Sequence, residues 1–94
     1  MTDLKPLAFS KIESLRRHML MTKSQMARLL GVSRVTYYNW EKSGGPSMRN
    51  LGHTKAMLKE MLRVMTEHDW PMPSVVAMDQ DDRLIELQKL IRMV

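Results

Sequence analysis

Residues 33–42, Ser-Arg-Val-Thr-Tyr-Tyr-Asn-Trp-Glu-Lys, hold the side chains best suited to recognition chemistry. On a helix, Tyr37 and Trp40 at i and i+3 form one large apolar stripe, which leaves Arg34, Val35, Tyr38 and Asn39 on the opposite side. A guanidinium such as Arg34 pairs bidentately with guanine O6 and N7, and a carboxamide such as Asn39 with adenine N6 and N7. Val35 can pack on a thymine methyl. Ser33, Thr36 and the backbone at the start of such a helix can meet phosphate oxygens, and Lys42 follows one turn beyond the base-reading set. The chemistry on offer is reading of base edges in a major groove, with Tyr37 and Trp40 fixing the helix to a core.

Other chemistries find no footing. The chain has no cysteine, and His18, His53 and His68 are widely spaced without an HExxH or His-x-His pattern, so no metal site is expected. Asp79, Asp81 and Asp82 lack the glycine and terminal glutamate of a calcium loop and read as a charge cluster at a helix start. No nucleophile elbow or glycine-rich phosphate loop occurs. Catalytic residues and cofactors are therefore not expected, and the chain does not read as an enzyme. The 11 methionines suit an adaptable core.

The elements that must position residues 33–42 are legible on both sides of them. Thr22-Lys23-Ser24-Gln25 has the form of a capping box, and Met26, Leu29 and Leu30 then form an apolar stripe with the small Ala27 beside it. Gly31 suits the left-handed end of this short helix, Val32 is a buried anchor, and Ser33 caps the next helix. Gly44, Gly45 and Pro46 stop it. Upstream, Pro6 lies in an arm over residues 1–9, and Ser10 is the expected cap of a helix bearing Ile12, Leu15, Met19 and Leu20. Downstream, Ser47 caps a short turn that Gly52 weakens by about 1 kcal/mol. A separate helix over 54–67 carries Met57, Leu58, Met61, Leu62 and Met65. Pro71 and Pro73 break the pattern, and residues 75–78 read as extended. A last helix follows Asp79 with a stripe of Leu84, Leu87, Ile91 and Val94.

Residues 22–44 resemble the phage-repressor or Cro-like (XRE-type) helix-turn-helix family. The resemblance rests on Ala27, Gly31-Val32-Ser33-Arg34 and Trp40-Glu41 with Gly44. It implies a domain of five helices over 10–69 and a sequence-specific binder of double-stranded DNA, usually dimeric, acting on an operator as repressor or activator. Carried over position by position, Arg34, Val35, Tyr38 and Asn39 match base-facing positions. Lys23 matches a backbone-contacting position, and Ser33, Thr36, Lys42 and Arg49 are candidates for a phosphate clamp. Gly45 and Gly52 depart from the pattern and leave the course of residues 44–53 open.

The whole chain fits this scheme. Its 94 residues suffice for one domain with a short appendage, and its formal charge of +5 is uneven. Residues 1–53 hold nine Lys/Arg against three acids, residues 54–94 six against seven, so the basic half contains the proposed reading helix. No apolar run is long enough to span a bilayer and no signal peptide is evident, so no membrane partner is expected and the bacterial cytoplasm or nucleoid is the expected location. The expected fold is all-α: a four- to five-helix bundle with a helix-turn-helix, plus a C-terminal oligomerisation helix. The expected divisions are an arm (1–9), the DNA-binding domain (10–69), a Pro-containing linker (70–78) and a dimerisation helix (79–94). The stripe of Leu84, Leu87, Ile91 and Val94 either folds back on the domain or pairs with a second copy, and pairing is the expectation because two-fold dimers read palindromic half-sites. A palindrome-binding homodimeric regulator, most often a repressor, is the leading reading. The alternatives are an antitoxin-like or adaptor protein that binds a partner protein through residues 70–94, and a phage DNA-packaging recognition subunit.

Overall fold

Phe9, buried against Tyr37, sets the start of α1 (Phe9–His18). Its amide donates to the Gly44 carbonyl at 2.7 Å, while Ala8 occupies the N-cap without a side-chain bond. A carbonyl from elsewhere in the chain thus serves the helix end, and Ser10 lies inside the first turn rather than capping it. The computed structural model describes residues 6–92, so most of the expected arm and Val94 lie outside the described residues. The further helices are α2 (Lys23–Leu29), α3 (Arg34–Ser43), α4 (Met48–His68), α5 (Pro73–Val76) and α6 (Gln80–Leu90). No strand occurs among the described residues, and the chain is all-α.

Two helices end by the same device. After α2, Gly31 adopts φ 71°, its amide donates to Arg28 O at 3.1 Å, and the Val32 amide donates to Ala27 O at 3.0 Å. This reciprocal pair is a Schellman closure. After α1 the same pattern uses Leu20 at φ 65°, with Leu20 N donating to Arg17 O and Met21 N to Arg16 O. The Thr22 capping box is complete: Gln25 N donates to Thr22 Oγ1 at 3.1 Å and Thr22 N to Gln25 Oε1 at 3.0 Å.

Residues 44–53 resolve into a turn and a helix start. Gly44 takes φ 101° to close α3, and Gly45 lies so near the Leu7 carbonyl that any Cβ would strike it. The second glycine therefore exists to let the Pro6–Ala8 strand of chain pass. α4 then runs unbroken through Gly52, where the expectation was a short turn and a separate helix. One exposed glycine costs about 1 kcal/mol, and burial of Leu51 and Thr54 on either side outweighs it.

The C-terminal third corrects two expectations. Within residues 70–78, Trp70 and Val75 are buried, and Trp70 Nε1 donates to Met19 O at 3.0 Å. Pro73 sits at the first turn of α5, a position that suits its fixed φ, so 75–78 is not extended. Leu84 and Leu87 join the core cluster of Ile12, Met19, Met26, Leu30, Tyr37, Trp40, Met61 and Val64. They do not form an open stripe, and Ile91 is half-buried against the same cluster.

Polar bonds tie α6 down at both ends. Gln25 Nε2 donates to Gln80 O at 2.7 Å, and Arg63 donates to Leu90 O at 2.7 Å while Glu60 accepts from the Arg92 amide at 2.8 Å. Arg83 gathers four carbonyls: Leu20, Val75, Val76 and Met78. Each is a backbone acceptor at the end of a helix or in a turn, where intrahelical partners run out.

Candidate nucleic-acid interface

α2 and α3 are joined by the tight Gly31 turn, and α3 is pinned by Tyr37 and Trp40, 2% and 4% exposed. Phe9 meets the Tyr37 ring edge-on, centroids 5.1 Å apart at 67°, and the Trp40 ring lies 6.0 Å from Tyr37. The Tyr37 hydroxyl donates to Glu13 Oε2 at 2.5 Å. Arg16 grips the same carboxylate in a fork, 2.7 and 2.9 Å, and also donates to Met21 O at 2.9 Å.

This cluster fixes the rotation of α3 about its axis. Burial alone would push the Glu13 carboxyl up, but hydrogen bonds from Arg16 and Tyr37 and the Arg16 charge together hold it below its ordinary value. Burial, reinforced by the Glu13 bond, pushes the Tyr37 phenol far up, so it stays a donor. The Glu13 hydrogen bond likewise raises Arg16. Glu13 and Arg16 carry no base-reading chemistry and sequence reasoning passed over them. Their i, i+3 spacing of opposite charges on α1 was the available signal.

With Tyr37 and Trp40 inward, the outermost row of α3 is Val35, Tyr38, Asn39 and Lys42, spaced i, i+3, i+4, i+7. Val35 is 69% and Tyr38 51% exposed, and Asn39 and Lys42 are exposed with them. Arg34 is exposed on the flank toward α2, where it borders a small cleft with Lys23, Ser24 and Tyr38. Thr36 and Asn39 border a groove on the other flank, across from Ser47 and Asn50 at the start of α4. The residues expected to face bases therefore spread over three adjoining strips of one surface.

The expected phosphate contacts differ in their surroundings. Lys23 Nζ pairs with Glu41 at 2.9 Å and stands 5.9 Å over the Tyr38 ring. The Glu41 bond raises its pKa, so the ammonium is fully protonated. Ser33 Oγ accepts from the Thr36 amide at 3.1 Å and donates to Thr36 Oγ1 at 3.0 Å, so both hydroxyls close the helix start. Lys42 and Arg49 are exposed, Arg49 on the first turn of α4, whose N-cap Ser47 makes no side-chain bond.

Residues 12–52 match a family profile described as helix-turn-helix. No curated protein and no solved structure gives a match to the chain. The matched segment begins in α1 and ends in the first turns of α4, and it contains the whole α2–turn–α3 unit. Residues 12–52 are thus similar to a helix-turn-helix domain, which agrees with the XRE-type resemblance of residues 22–44. The match supports a DNA-binding role of the transcription-regulator type for these residues. No helix among the described residues is long and apolar enough to cross a membrane.

Proposed function

We propose that the protein is a transcriptional repressor that binds a palindromic operator as a homodimer. The carrying observation is that α3 is rotationally fixed by Tyr37, Trp40 and the Glu13–Arg16 pair while its outer row remains open. Arg34 and Asn39 pair with base edges, Val35 packs on a thymine methyl, and Tyr38 lies along the groove floor. Lys23, Lys42 and Arg49 engage phosphates on either side, joined by the backbone and hydroxyls at Ser33 and Thr36. A single such helix reads few base pairs, so two copies on half-sites one helical turn apart supply the specificity.

Selection from a random duplex pool at physiological salt tests this reading. It should enrich an inverted repeat with half-sites about 10 base pairs apart, with two protomers per site by sedimentation. Arg34→Ala and Asn39→Ala should each cost roughly 1–3 kcal/mol and relax the preference at one position of each half-site. An enriched pool with no inverted repeat, or one bound by a single protomer, counts against the dimer.

A further inference from the structure

We infer that the groove between α1 and α4 docks an acidic amphipathic helix of a partner protein. The groove has a volume of about 540 Å3 and lies away from α3, with no residue of that helix in its lining. Its floor is apolar, formed by Leu15 of α1 and by Leu58, Leu62 and Met65 of α4. Leu62 is 51% exposed on a helix whose other leucines are buried. A large aliphatic side chain left open inside a concave apolar surface marks an interaction site more than a scattered surface leucine does.

The spacing of the walls suits a helix. Lys11, Leu15 and His18 recur at i, i+4, i+7 on α1, and Leu58, Leu62 and Met65 recur at the same intervals on α4. Two such ladders, each about 11 Å long, are the ridges into which a third helix of two to three turns packs its own i, i+3/i+4, i+7 anchors. The rim sets the charge of the guest. Lys11 and Lys59 stand exposed on opposite walls, and no acid occurs among the described residues that line the groove. Glutamates or aspartates flanking the guest's apolar stripe complete the match. The same lysines oppose groove-to-groove pairing of two copies, since it would set cation against cation. A nucleic-acid backbone could meet the rim lysines but would leave the apolar floor uncovered. This assignment is independent of the DNA-binding reading.

Fluorescence anisotropy with the full chain tests it. The probe is a labelled helical peptide of about 14 residues with leucine anchors and glutamate flanks, beside a twin with lysine flanks. The glutamate peptide should bind about tenfold more tightly than its twin. Leu62→Asp should weaken it about tenfold, and Lys59→Glu should shrink or reverse the preference. Both variants should keep the wild-type melting temperature and operator affinity, because both positions are exposed and remote from α3. Equal binding of the two peptides, or indifference to Leu62→Asp, overturns the proposal. Self-association of the unliganded chain that Leu62→Asp abolishes would give the groove to a second copy instead. Binding seen only after removal of residues 1–5 would give it to the chain's own N-terminus, and either result also overturns the proposal.

Discussion

In the protein without DNA, Lys23 is already satisfied by Glu41 and by the face of Tyr38. A phosphate oxygen that approaches this ammonium also meets the negative charge of the Glu41 carboxylate. Glu41→Gln should therefore strengthen binding to all duplex sequences by about twofold to fivefold and steepen the salt dependence. Equilibrium titrations at several salt concentrations check this, and an unchanged slope would show that Lys23 faces away from the backbone. Glu13 makes the opposite kind of contact, inside the domain. Its folded carboxyl lies below the ordinary value of 4.5, so its stabilisation is complete above that pH and is lost as pH falls through the folded value. Glu13→Gln should be less stable than wild type at pH 7 and should lose less on acidification, so their melting curves converge at low pH. Parallel curves would remove Glu13 from the acid response.

At the scale of elements, Gly45 and Gly52 sit seven residues apart and ask for opposite substitutions. Gly45→Ala drives a Cβ into the Leu7 carbonyl and should cost about 1–3 kcal/mol, whereas Gly52→Ala meets open space inside α4 and should gain about 1 kcal/mol. Thermal melts of the two variants should move in opposite directions. The helix-turn-helix itself was legible because its signals are local: the capping box at Thr22, the left-handed Gly31 and the cap at Ser33 each act within four residues. Tyr37 and Trp40 were legible from their spacing. Gly45 and the start of α1 were not, because the deciding contacts join Leu7 and Phe9 to Gly44 and Gly45, more than thirty residues away. The exposed row of α3 could be read as a set of residue types. Its division into an Arg34 flank and an Asn39 flank needed the positions of α2 and α4.

For the whole molecule, the apolar stripe of α6 signalled that this helix needs a partner but not which one. The partner for Leu84 and Leu87 is the domain itself, and Gln25, Arg63 and Arg83 add links that no periodicity announces. A chain ending at residue 69 loses Trp70, Val75, Leu84 and Leu87 from its core. It should show no cooperative unfolding transition by circular dichroism and no operator binding, despite retaining every residue of α2 and α3. A cooperative transition in that fragment would establish 10–69 as a self-sufficient domain.

The placement of Arg83 has a consequence for how the protein is made. Its guanidinium joins the end of α1 to the end of α5, with Leu20 O, 63 residues before it, among its acceptors. During synthesis the reading helix is complete long before the residues that lock the domain have left the ribosome. Until α6 emerges, Leu84 and Leu87 are missing from the core against which Tyr37 and Trp40 pack. The order of synthesis therefore runs opposite to the order of locking: the reading helix is made first and the residue that ties the helix ends together comes late.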